Sequence, residues 1–387
     1  MKRVRVKTKR SSVKIPPLYA EGFLIYHGKR TILAKYMNIP SFKKMTKKQR
    51  VQLLLGIAGL FGVACLLVIA MNFRGVTVEA PEQQEEQSKE EKNRDPFTGA
   101  LLTGEAEDTR IACVMVENSS DAWPLSGVED AFFVVEAPVE GGIPRFMACY
   151  TEANEVEKIG PVRSARPYYI SWAEGFGALY GHVGGSPEAL QRLGATRNLT
   201  TLNEYSNGSS YWRDTTRSAP HNAYTSTELL WSAATRLSVP AGKSPAWKYG
   251  EEGVWESEEN CENITISWGS APSYNVTWDC DAASKSYIRL QGTSVATSSD
   301  GDTYDAQNVV IMEADMQVVD EVGRRALTTE GMGNAIVCSL GICQDALWSK
   351  EGVDKPLQFF NTYPDEPIIF SPGTTWIEVV DDLEKVQ

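Results

Sequence analysis

The chain has 387 residues and a formal net charge of −12 at pH 7, a length that suits about two to three domains. The charge is unevenly placed: residues 1–50 hold fifteen Lys or Arg and one acid, Glu21, a net of +14, against a net of −26 for the rest. A basic arm of this kind suits anionic lipid headgroups better than nucleic acid, so no nucleic-acid partner is expected.

Val51 to Phe73 carries no charged side chain, and only Gln52 and Asn72 are strongly polar. As a helix this segment extends about 35 Å, enough to cross a hydrocarbon core with some tilt. The sequence therefore predicts one transmembrane helix over 51–73. Lys43, Lys44, Lys47, Lys48 and Arg50 crowd its N-terminal flank. That flank places a basic cytoplasmic arm at 1–50 and the remainder outside the cell membrane. Residues 74–95 are acidic, Gln-rich and free of aromatics, which reads as a disordered linker.

From Pro96 the pattern becomes globular. Ile111 to Val116, Phe132 to Glu136, Phe146 to Tyr150 and Leu179 to Val183 read as strands. Ala165 to Phe176 reads as a helix, and Thr225 to Leu237 as another. Ser186 followed by Pro187 is a helix start that caps free amides and suits the first helical position. The mixture predicts an α/β layer domain over 96–240. A Pro/Gly/Ser stretch, Val239 to Pro245, marks the boundary. Beyond it, over 241–387, short runs such as Ile264 to Trp268, Val309 to Glu313 and Thr375 to Val380 predict a β-rich sandwich or barrel-like domain. The fold class expected is thus α+β: a transmembrane helix, a mixed α/β domain and a β-rich domain.

Six cysteines lie outside the apolar span, where disulfides persist. Cys261 and Cys280 flank two candidate strands at matching distance from their turn. Cys338 and Cys343 bracket a four-residue hairpin loop. Cross-strand neighbours come within disulfide reach, and the remaining pair is Cys113 with Cys149.

The strings VEGGIPRF (Val139 to Phe146), GPVRSARPYY, HVGGSPEAL, YWRD (Tyr211 to Asp214) and APHN (Ala219 to Asn222) follow one another in order. With PFTG at Pro96 and SPGTTWIEVV at Ser371, the chain resembles the YerB-like family of bacterial lipoproteins and membrane-anchored envelope proteins, whose function is not established. The resemblance implies two domains, N-terminal α/β and C-terminal β-rich, in an envelope protein. The family tends to have Arg and Gln where this chain has Trp123 and Leu125, so the neighbouring surface is expected to be less polar here.

Glycine-flanked arginines read planar anions through two donors at once. Arg145, Arg163 and Arg166, with Gly184, Gly185, Ser186 and Asp214, are the candidate ligand-binding residues. The alternative is that the arginines pair with Glu136 and Glu140 to hold two loops together. Catalysis is an open question, with Glu140, His182 and His221 as candidate acid–base groups. The nucleophile elbow, the phosphate-binding glycine loops and the zinc-helix motif are all missing from the sequence. No metal and no cofactor are expected. The first reading is an envelope protein that binds an anionic cell-wall polymer or a wall-synthesis partner. The second is a hydrolase or transferase acting on an anionic glycan.

Overall fold

The apolar runs of both halves of the chain pair into a single sheet. The computed structural model describes Thr46, Lys48 and residues 94–387 other than 251–261, 269–270, 285 and 363–365. Strands β1 (Ile111–Val116), β2 (Phe133–Pro138), β3 (Pro144–Thr151), β4 (Leu179–His182) and β5 (Thr200–Asn203) come from the first half. Strands β6 (Asn308–Glu313), β7 (Gly331–Ser339), β8 (Ile342–Lys350), β9 (Gln358–Asn361) and β10 (Thr375–Val380) come from the second. Across the sheet the order is β9-β8-β7-β6-β10-β2-β3-β1-β4-β5. The last strand, β10, lies parallel to both β2 and β6 and joins the two halves at the sheet centre.

Both faces of this sheet are covered, which explains why β1, β2 and β3 read as continuous apolar runs without alternation. On one face Ile111, Cys113 and Met115 meet the helices α1 (Pro167–Phe176) and α2 (Pro187–Ala195). On the other, Ala112, Val114 and Val116 meet α3 (Thr227–Arg236) and a smaller five-stranded sheet built from residues 264–306. Each large apolar side chain so enclosed contributes roughly 1.5–3 kcal/mol relative to exposure. Local signals set the helix ends. Ser186 Oγ accepts from Ala189 N and Ser226 Oγ from Leu229 N, each at 3.2 Å. At the end of α1, Gly177 takes the left-handed conformation that a side chain would resist.

Two expectations about the fold are corrected. The first half does not form a separate α/β layer domain, and the second does not close into its own sandwich or barrel. The described chain is mostly β, and its strands from both halves belong to one mixed sheet. Local strand–helix alternation cannot reveal this, because the joining strand β10 arrives more than two hundred residues after β2. The transmembrane helix expected over 51–73 and most of the linker lie outside the described residues. Among the described residues, the three α-helices span ten, nine and ten residues, and none is long and apolar enough to cross a membrane.

Disulfides tie neighbouring strands. Cys113–Cys149 joins facing residues of β1 and β3, and Cys338–Cys343 joins facing residues of β7 and β8. Cys280 is also disulfide-bonded, and Cys261, its expected partner, lies outside the described residues.

Candidate functional site

Strands β1, β2 and β4 run in the same direction, so their C-terminal ends share one rim of the sheet. Glu117 follows β1, Glu140 opens the turn after β2, and Gly184 to Ser186 follow β4. Arg145 is the second residue of β3, which starts at that same rim. Gly141 and Gly142, both at positive φ, reverse the chain between β2 and β3.

The loop carrying Arg163 and Arg166 is extended. It bridges Val116 through Val162 and Gly185 through Ala165. The two arginines therefore diverge to different acids. Arg166 grips Glu140 with two bonds, Nε to Oε1 at 2.7 Å and Nη2 to Oε2 at 2.6 Å. Burial raises the Glu140 carboxyl, but the bonds and charge of Arg166, with Arg145 nearby, hold it below its ordinary value. Arg163 Nε lies 3.2 Å from Glu117 Oε1. The buried Glu117 also accepts from Ser119 Oγ at 2.9 Å and from His221 Nδ1 at 2.7 Å.

Arg145 differs from its neighbours. It is 6% exposed and donates Nη1 to Ser164 O at 2.7 Å. Among the described residues it has no carboxylate partner. Burial, then repulsion from Arg166 and Arg163, lowers its guanidinium to about 10, which still leaves it charged at neutral pH.

Next to this cluster is a cavity of about 410 Å³ lined by Arg166, Arg192, Arg324 and Arg325, with Glu188 and Asp320 as its acids. The first residues of α1 and the cap of α2 also line it, through Pro167, Tyr168 and Ser186, so two helix N-termini add partial positive charge. Arg192 pairs with Glu174, and Arg324 with Asp320 and Glu188. Arg325 donates Nε to Val139 O at 3.2 Å and, among the described residues, has no carboxylate partner. Tyr168, in the lining, has its hydroxyl pushed up by burial, while Arg145, Arg166 and Arg325 oppose that shift. Of these two arginines without acids, Arg325 lines the cavity and Arg145 does not.

The remaining candidates sit elsewhere. His182 is buried beneath the rim, with Nδ1 at 2.7 Å from Gly184 O and Nε2 at 2.8 Å from Thr201 Oγ1. Both ring nitrogens are occupied, and burial lowers its pKa to about 4. Asp214 accepts from Thr216 and pairs with Lys158 at 3.2 Å. The Thr216 bonds, then Lys158, bring its carboxyl to about 2. Gly184 takes a positive φ where a Cβ would come within 3.0 Å of Tyr205, and its carbonyl accepts from Ala165 N, so it serves the loop rather than a ligand. Sequence reasoning missed Glu117, Arg192, Arg324 and Arg325. Glu117 was legible as the first acid after the run IACVMV; the arginines were not, because the antiparallel pair Met316–Val318 and Arg325–Leu327 meets α2 only in the fold.

Two family models match the chain, the N-terminal and C-terminal domains of a protein of unknown function (DUF3048), over residues 97–240 and 264–377. The Bacillus subtilis (strain 168) protein named "Putative lipoprotein YerB" is 30% identical over 298 residues, which is 76% of this chain and 88% of that protein. The crystal structure of YerB protein from Bacillus subtilis matches with a TM-score of 0.67 at 28% identity, covering 76% of this chain and 98% of that one.

Proposed function

Given that the chain belongs to the YerB-like family of proteins of unknown function, we propose that it is an envelope-associated protein whose arginine cavity holds an anionic group of a cell-wall polymer. The lipoprotein name of its relative supports the envelope setting. So do the Cys113–Cys149 and Cys338–Cys343 disulfides, which suit an oxidising compartment outside the cytoplasm. The basic residues 1–50 suit anionic lipid headgroups.

The observation that carries the anion reading is Arg325, which lines the cavity and, among the described residues, has no carboxylate partner, its Nε donating to the carbonyl of Val139. A phosphate or carboxylate entering the cavity would meet the guanidinium of Arg325, whose charge no carboxylate takes up, in the form that binds such groups best. Titration of the protein with a phosphate-bearing wall polymer, against a neutral glucan, tests it. Binding should weaken steeply with salt and fall roughly tenfold in Arg325→Ala. Equal affinity for both polymers would reject the reading.

A second reading, a hydrolase or transferase acting on an anionic glycan, draws on His221. Its Nδ1–H donates to Glu117 at 2.7 Å, which fixes the tautomer and leaves Nε2 to accept a proton. Product analysis with wild type and His221→Ala decides it.

A further inference from the structure

The arginine cavity is less positive than its lining suggests. Arg166 is taken by Glu140 through two bonds, and Arg192 by the buried Glu174. Arg324 is taken by Asp320, whose Oδ1 accepts from the Arg324 backbone N at 3.0 Å and whose Oδ2 lies 3.1 Å from its Nε. Of the four guanidiniums in the lining, Arg325 alone is left as a cation without an acid among the described residues.

One acid of the lining is left over as well. Glu188 shares Arg324 with Asp320, and Nη1 of that arginine stands 3.4 Å from each oxygen of the Glu188 carboxylate. That is beyond the roughly 2.7–3.2 Å of a normal N–H···O bond. The Glu188 side chain is 60% exposed, so it is open to an incoming group. It stands in the first turn of α2. The backbone amide there, then the Ser186 hydroxyl and Arg324, hold its carboxyl below the ordinary value, and Glu188 is therefore ionised at neutral pH.

The cavity thus offers one free cation and one loosely held anion. A bare phosphate or carboxylate is drawn to Arg325 but repelled by Glu188. A lone ammonium is drawn to Glu188 but repelled by Arg324 and Arg325. A group that carries both charges a few ångströms apart satisfies both side chains at once. The volume of about 410 Å³ accommodates such a group.

We propose that the wall-polymer unit held here is zwitterionic, its anionic group on Arg325 and a neighbouring primary ammonium on Glu188. The inference rests on the anion reading of this cavity and adds a second charge to it. Glu188 is then the residue that sets specificity. It favours units that bear an amine over units that bear the anion alone.

Calorimetric titration of the 387-residue protein compares ethyl phosphate with phosphoethanolamine, and propionate with β-alanine, up to about 10 mM, a concentration that detects even weak sites. The pair that responds names the anion. Within it the amine-bearing member should bind roughly fivefold tighter, the upper end for an exposed ion pair. Glu188→Gln should erase that preference and spare the bare anion, with little change in melting temperature. Glu188→Lys should reverse it, and Arg325→Ala should weaken both members. Acetylating the amines of a wall polymer should weaken its binding as Glu188→Gln does. Equal binding of the two members, or a preference that survives in Glu188→Gln, overturns the inference; if Arg325→Ala still weakens both, the anion reading is untouched. If no member of either pair binds, or Arg325→Ala changes nothing, the anion reading falls with it.

Discussion

Glu136 and Glu378 face each other in register on the adjacent parallel strands β2 and β10, both at 0% exposure. A single arginine, Arg289, serves them, bonded to both oxygens of Glu136. Burial raises both carboxyls. The Arg289 guanidinium and the Asn118 amide keep Glu136 as the ionised member, and its charge adds to burial in lifting Glu378 well above the usual carboxylate range. Two like charges this close do not both ionise, so Glu378 is the neutral partner.

An asymmetry follows. Glu378→Gln replaces a neutral acid by a neutral amide and can still accept from Trp278 Nε1, now bonded at 2.9 Å. Its cost should stay within about 1 kcal/mol. Glu136→Gln strands a buried guanidinium and should cost about 3–5 kcal/mol. Urea unfolding of the two variants gives the comparison, and equal losses would show that the proton is not on Glu378.

His182 should make stability depend on pH. Its folded value, about 4, lies below the 6.5 of an unperturbed histidine. Between those values the unfolded chain binds more protons than the folded one, so stability present above pH 6.5 drains away as the pH falls towards 4. The whole effect is about 3 kcal/mol. His182→Asn, which keeps a donor for Gly184 O, should be less stable at pH 7 and lose less than wild type on acidification. Parallel pH profiles for the two proteins would count against it.

Arg163 and Arg325 should separate stability from binding. Arg163 pairs with the buried Glu117, so Arg163→Ala should lower stability by roughly 1–3 kcal/mol and spare polymer affinity. Arg325 bonds a backbone carbonyl, so Arg325→Ala should move stability by no more than about 0.5 kcal/mol while weakening binding. Thermal unfolding beside polymer titration reads both.

The disulfides of the large sheet should differ in worth. Cys113–Cys149 closes a separation of 36 residues and Cys338–Cys343 one of 5. In the chain-entropy model these contribute about 4 and about 2 kcal/mol. Paired Cys→Ala variants, unfolded in denaturant, should rank in that order.

Much of the local structure was legible in the sequence. The runs at Ile111 and Thr375 become β1 and β10 with the expected ends, and Ser186 caps α2 as read. The two pairings Cys113–Cys149 and Cys338–Cys343 follow from strand register. What the sequence hid was long-range. Nothing in TWIEVV says that it pairs with FVVEAP, although each run encloses one glutamate among apolar residues, a mark of a buried polar contact. The site was half legible: the glycines around Arg145 and Arg166 drew attention to the rim, but Glu117 reaches it from an apolar run, and Arg325, although Gly323 stands two residues before it, lies on a segment that only the fold brings there.

The position of β10 has a consequence for how the protein is made. A chain synthesised from its N-terminus presents β2 and β6 as two open edges until the last strand, Thr375–Val380, emerges. Completing the centre of the sheet is therefore a late, long-range event, of the kind that slows folding and leaves strand edges uncovered meanwhile. A chain cut short before residue 375 would lose the seam between its halves, not a dispensable tail.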